Sequence, residues 1–190
     1  TASRTVLVTG AFGNLGQMVL AELKQRDYRV LAMDLDNPVN RKVAGRLKPL
    51  YDELAWGDLR TVDFNPLLPG CIAVIHLAAI LPPVTERAPA FAYDINVTAT
   101  LRLIAEIEGC AIKPLLLYPS SVTVFGFPEP ATRLMQSTDP VEPTDHYTRH
   151  KVEIEQHLVA SSVPWAVLRV GVSVDSRTLG TELSMVRKLF

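Results

Sequence analysis

The chain has 190 residues, 48% of them hydrophobic and 21% charged, with a formal net charge of -1; this is an ordinary globular balance, sufficient for one substantial core and one domain. So small a net charge disfavours nucleic acid as a partner, and no apolar run reaches the roughly 20 residues needed to span a bilayer. The first strand-like run starts by Thr5, which leaves no room for a signal peptide in this sequence, so a cytoplasmic protein is expected.

Strand-like apolar runs fall at Thr5 to Thr9, Arg29 to Met33, Leu54 to Trp56, Ile72 to His76, Leu115 to Tyr118 and Trp165 to Val170. Helical patterns lie between several of them. Leu15, Val19, Leu20 and Leu23 share one face, and Ile95, Ala99, Leu103, Ile104 and Ile107 share another. Strands alternating with helices, the strands nearly continuous in apolar residues, specify an α/β, doubly wound parallel sheet covered on both faces. Asp36 to Pro49 and the proline-rich Phe127 to Thr144 fit no regular element and read as loops or short irregular helices. The second is long enough to be a lid or binding loop.

The first strand runs into Gly10, Gly13 and Gly16 and then into a helix beginning near Asn14. That spacing permits a tight turn, an approach to phosphate unobstructed by a Cβ, and close packing of helix on strand. A pyrophosphate there faces the free N–H groups and the positive dipole end of the helix. Asp34 closes the second strand, roughly 20 residues further on, where a carboxylate accepts hydrogen bonds from a ribose diol and repels a 2′-phosphate. Leu35 and Asp36 supply no offsetting arginine, although Arg41 and Lys42 follow. NAD is therefore favoured over NADP.

Tyr147 and Lys151 stand four apart on an expected helix, Tyr147 to Ala160, and project from one face. A lysine charge beside a phenol stabilises phenolate and brings a group of pKa ~10 toward working pH. The fifth strand ends in Ser120 and Ser121, at the strand end where open α/β sheets bind ligands. Asn96 is a polar residue inside an apolar helix and needs a hydrogen-bonding reason, either a distortion of that helix or a held water. Cys71 and Cys110 fit neither a metal knuckle nor a disulfide framework and read as buried free thiols. His76, His146, His150 and His157 form no HExxH pattern, so no metal site is expected.

Taken in order, Thr9-Gly-Ala-Phe-Gly-Asn-Leu-Gly16, Asp34, Gly57-Asp-Leu59, His76-Leu-Ala-Ala79, Asn96, Ser120-Ser121 through Phe125-Gly126, Tyr147-Thr-Arg-His-Lys151 and Leu168-Arg169 resemble an extended short-chain dehydrogenase/reductase. This group contains the NAD-dependent sugar epimerases and dehydratases. The resemblance implies a Rossmann nucleotide-binding fold with cofactor contacts at Gly10, Phe12, Gly13, Asn14, Leu15, Gly16, Asp34, Asp58, Leu59, Leu77, Ala78, Ala79, Tyr147 and Lys151. It assigns Asp58 to the adenine amino group, Leu59 to the side of that ring, and His76 to a structural role in the turn beneath the cofactor. Ser121 is expected to hold the reacting oxygen, Tyr147 to move its proton, Lys151 to bind the nicotinamide ribose, and Asn96 to complete the set, with Ser120 a lesser neighbour.

Pro119, Phe125 and Val170 depart from the usual pattern without removing a member of that set. Family members usually continue into a substrate domain, and 171–190 is expected to be its start. The resemblance implies an NAD-dependent enzyme acting on a sugar or nucleotide-sugar. A dehydrogenase or reductase of a non-sugar alcohol, or a non-catalytic NAD-binding regulator or scaffold, stands as the alternative. A small-molecule substrate and a homodimer are the expected partners, with Ala92, Ala99 and Leu103 on either a dimer surface or the core.

Overall fold

A computed structural model describes residues 4–127, 129 and 134–171. Six parallel strands form one sheet: β1 (Thr5–Thr9), β2 (Arg29–Asp34), β3 (Glu53–Trp56), β4 (Cys71–His76), β5 (Leu115–Ser121) and β6 (Trp165–Val170), in the spatial order β3-β2-β1-β4-β5-β6. The helices are α1 (Asn14–Gln25), α2 (Pro38–Arg46), α3 (Val84–Arg87), α4 (Pro89–Tyr93), α5 (Ala99–Gly109) and α6 (His146–Ala160). The Rossmann-like, doubly wound arrangement is the one expected.

Strand alternation divides the core in two. Val6 and Val8 of β1, with Val30 and Ala32 of β2, face a cluster containing Leu20 and Leu23 of α1. Leu7, Leu31 and Met33 face the opposite cluster, where Leu103, Ile104 and Ile107 of α5 meet Ile154 and Leu158 of α6. Because side chains alternate along a strand, a strand buried on both faces must be apolar at every position. Each fully buried Leu or Ile contributes about 2 kcal/mol to this core.

Asp36 to Pro49 is more regular than expected. Asn37 caps α2 by accepting from the Asn40 N–H at 2.8 Å, and Pro38 takes the first turn, so the Asn-Pro pair is a helix start and not a loop signal. The described part of Phe127 to Thr144 is irregular, as expected, while 128 and 130–133 lie outside the described residues. The proposed start of a substrate region at 171–190 likewise lies outside them except for Gly171. Ala92, Ala99 and Leu103 are buried within the single chain. Cys71 and Cys110 are free, the first buried and the second half-buried. Among the described residues there is no cluster able to hold a metal ion, and no helix long and apolar enough to cross a membrane.

Candidate dinucleotide site

The chain moves outward from β1 to β3, then returns to place β4 on the other side of β1. At that switch point the loops after adjacent strands part, leaving a cleft at the strands' carboxyl ends. A cavity of about 640 Å³ opens there, lined by Gly10, Gly13, Asn14, Leu15 and Gly16 on one side, Asp34, Asp58 and Leu59 on another, and Ser120, Ser121, Tyr147 and Lys151 on a third. Leu77, Ala78 and Ala79 also line it. Residues as distant in sequence as Gly10 and Lys151 thus meet in one cleft.

The three glycines meet different demands. Gly10 has φ +66°, and a Cβ there would lie 2.7 Å from the Ala78 nitrogen; at Gly16 a Cβ would lie 2.6 Å from the Ala11 backbone. Those two glycines let backbone pack on backbone. A Cβ on Gly13 would meet only the Gly10 carbonyl oxygen, at 3.4 Å, so nothing in the protein itself demands a glycine on this stretch of cavity wall. Gly13 is also the N-cap of α1, which has no side-chain cap and no acidic residue in its first turn. The leading N–H groups of the helix are left for an anion.

Asp34 accepts from the Phe12 N–H and the Leu35 N–H, both at 2.8 Å, and from the Asn40 side-chain amide at 3.0 Å. Burial raises its pKa from the ordinary value, against the lowering effect of the two backbone bonds. Arg41 is held by Asp36 at 2.7 Å, so the first arginine after Asp34 in the chain is paired. Phe12 does not line the cavity; its ring packs against Tyr51 and Trp56 in the core, and only its backbone N–H serves the site, by holding Asp34. Asp58 is paired with Arg60 at 2.6 Å.

The proton-transfer side is built by α6 and β5. Asp145 caps α6 in a reciprocal box with Thr148, which fixes the first turn carrying Tyr147. Lys151 is buried, donates to the Pro119 carbonyl oxygen at 2.7 Å, and lies over the rings of Tyr118 and Tyr147 at 4.6 and 5.5 Å. The unusual proline therefore keeps the acceptor that Lys151 uses. Burial lowers the Lys151 pKa to about 8, with Glu155 opposing. Tyr147 corrects the sequence expectation: its pKa is raised, first by burial and then by the Asp145 carboxylate, so the chain's own groups hold it as a phenol. A charge screened by distance and opposed by desolvation does not by itself yield phenolate.

β5 runs three residues further than the apolar pattern suggests and carries both serines within the strand. Ser121 is already bonded to Thr123, hydroxyl to hydroxyl at 2.6 Å, and caps the turn Val122–Phe125. Ser120 is buried, and its hydroxyl is without a hydrogen-bond partner among the described residues. Asn96 does not line the cavity. It sits in a π-helical turn, Asp94–Thr98, where its amide oxygen accepts from the Ile80 N–H at 2.7 Å and its amide nitrogen donates to the Ile80 carbonyl oxygen at 2.8 Å. The hydrogen-bonding reason expected for Asn96 is thus a helix distortion and a clamp on the β4 loop. His76 is buried between Thr9 and Thr100, at 2.8 and 3.0 Å, with its pKa pushed down to about 3 by burial and the Lys151 charge.

The model of the NAD dependent epimerase/dehydratase family matches residues 6–170. The chain belongs to that family. This member is 30% identical over 176 residues to methionine adenosyltransferase 2 subunit beta of Bos taurus, covering 90% of this chain and 47% of that protein. It is 31% identical over 181 residues to UDP-glucose 4-epimerase 1 of Oryza sativa subsp. japonica, covering 87% of this chain and 49% of that one. The solved structure of MoeE5 in complex with UDP-glucuronic acid and NAD superposes with a TM-score of 0.71 at 26% identity, covering 87% of this chain and 54% of that chain. The family member described here spans about half the length of those relatives.

Asn40 and Arg60 were not singled out from the sequence, yet both line the cavity. Asn40 bridges Asp34 and the Leu35 carbonyl oxygen, and Arg60 lies over the Phe91 ring at 5.4 Å. The Asn37-x-x-Asn40 spacing after a strand-end acid was the available signal for the first. Arg60 follows Gly57-Asp-Leu directly but carries no motif of its own.

Proposed function

We propose that this family member binds NAD in the switch-point cavity and forms the cofactor-binding part of an enzyme that oxidises and re-reduces a hydroxyl carbon of a sugar or nucleotide-sugar, as an epimerase or dehydratase. The observation that carries this reading is the meeting of the glycine turn, Asp34, Ser121, Tyr147 and Lys151 in one cavity. The fit to a dinucleotide is supported by the open wall at Gly13, the uncapped α1 and the unpartnered Ser120 hydroxyl. Asp34 accepts the ribose hydroxyls, and with Arg41 engaged by Asp36 and the cavity-lining Arg60 by Asp58, the charge left beside the ribose is that of Asp34, which favours NAD over NADP.

When bound, NAD supplies the hydride acceptor and, in its oxidised ring, a positive charge. Tyr147, held as a phenol by the chain's own groups, has to ionise under the charges of the cofactor and Lys151 before it takes the substrate hydroxyl proton as that carbon is oxidised; it returns the proton on reduction. Ser121 orients the reacting oxygen by exchanging its bond to Thr123 for one to substrate. Lys151, anchored by the Pro119 carbonyl, holds a ribose hydroxyl and keeps a positive charge near the phenol. Asn96 acts by fixing Ile80 in the cavity wall. The nucleotide-sugars of the rice relative's name and of MoeE5's bound ligand support the substrate class. A cytoplasmic homodimer belongs to the same reading, formed through residues other than the buried Ala92, Ala99 and Leu103.

In a Tyr147→Phe variant, NAD binding is retained and conversion of a UDP-hexose to its epimeric or dehydrated product is lost by at least about 10²-fold; undiminished turnover would remove Tyr147 from the reaction. A second reading, an NAD-binding regulatory subunit without turnover, is favoured by the adenosyltransferase subunit among the relatives. NAD binding without hydride exchange across a panel of sugars and carbonyl compounds would select it.

A further inference from the structure

Asn96 touches an imidazole that the proposed reaction does not use. The Ile80 N–H can only donate and the Ile80 carbonyl can only accept, so the two bonds to Ile80 fix which end of the Asn96 amide is which. The amide nitrogen, with one hydrogen given to Ile80, directs the other at Nδ1 of His150, 3.3 Å away. That nitrogen must therefore accept. With that contact made, His150 has the geometry of a neutral imidazole with its hydrogen on Nε2. It is buried beside the Tyr93 ring edge at 5.4 Å.

We propose that His150 is a positioning residue for the cavity wall: with Nδ1 unprotonated it holds the Asn96 amide against Ile80, so binding in the cavity requires a neutral His150. An imidazolium would set a donor against a donor and release the amide. Ile80 lines the cavity directly after Leu77, Ala78 and Ala79, so loosening it loosens that wall. This inference rests on the reading of the cavity as a dinucleotide site.

Charged and titratable groups face His150 from each packed element: Glu86 of α3, Tyr93 of α4 with its hydroxyl on Glu153, Asp145 at the N-cap of α6, and His146 and Glu153 of α6 itself. Burial and His146 lower its pKa, against the three carboxylates. Protonation thus sets in below the ordinary imidazole range, and the clamp fails on the acid side only.

The test is calorimetric titration of the 190-residue chain with NAD+ between pH 7.5 and 5, for wild type, His150→Gln and His150→Leu, together with 15N NMR of the His150 ring. Expected is a wild-type affinity that falls at least about three-fold across that range, beyond any fall in His150→Gln, whose amide oxygen accepts at every pH. His150→Leu binds weakly throughout. The ring nitrogens show an Nε2–H tautomer at pH 7.5. Equal pH slopes in wild type and His150→Gln, or an Nδ1–H tautomer, would overturn the proposal. Failure of wild type to bind NAD+ at pH 7.5 would instead overturn the dinucleotide reading, and the tautomer would still decide for or against the clamp.

Discussion

Gly10, Gly13 and Gly16 look alike in the sequence and differ in what surrounds them. Gly16 is shut in by the Ala11 backbone at 2.6 Å from where a Cβ would sit, whereas at Gly13 only the Gly10 carbonyl oxygen is near, at 3.4 Å. Gly16→Ala should cost about 3 kcal/mol or more, because backbone must move to admit a methyl group. Gly13→Ala should cost under about 1 kcal/mol, since Ala is only a poorer N-cap than Gly, yet weaken NAD+ binding about ten-fold or more by filling the phosphate side of the turn. Urea unfolding and NAD+ titration of both variants separate the two roles; equal losses of stability would refute the assignment of Gly13 to the ligand. The same contrast separates the adjacent serines, one bonded within the chain and one without a partner among the described residues.

At the scale of elements, α6 determines where Tyr147 and Lys151 point. Its first turn is held by Asp145, whose carboxylate accepts from the Thr148 N–H at 2.7 Å and also raises the Tyr147 pKa. Asp145→Ala should lose about 1 kcal/mol of stability. Asp145→Asn, which still caps, should lose less and lower the Tyr147 pKa, seen as an earlier phenolate absorbance on alkaline titration. An unchanged tyrosine titration would show that the charge of Asp145 does not reach the phenol.

Much of this architecture was legible in residues. The six strands announce themselves as apolar runs, and α1 and α5 by the helical period of the face that each buries. Asp34 and the Tyr147/Lys151 pair sit where spacing on a strand end and a helix face put them. Less legible was whatever depends on competition between tertiary neighbours. The phenol's pKa follows burial and Asp145 over Lys151, Phe12 turns its ring to the core, and Asn96 serves the backbone of a distant loop. The α2 start at Asn37-Pro38 was present in the sequence, inside a stretch, Asp36 to Pro49, whose sequence pattern fits no regular element.

For the whole molecule, the strand order β3-β2-β1-β4-β5-β6 brings the ends of β1, β4 and β5 to one cleft, with the start of α1, which has no side-chain cap, on its wall. The family match over residues 6–170 gives this cleft a lineage, and its chemistry follows from which side chains remain free within it. Calorimetric titration of the 190-residue chain with NAD+ and, separately, NADP+ at pH 7.5 tests that most directly. Expected is saturable one-to-one binding of NAD+, at least about ten-fold tighter than NADP+, on the proposed contact of Asp34 with the ribose. Absence of binding by either dinucleotide, or tighter binding of NADP+, would contradict it.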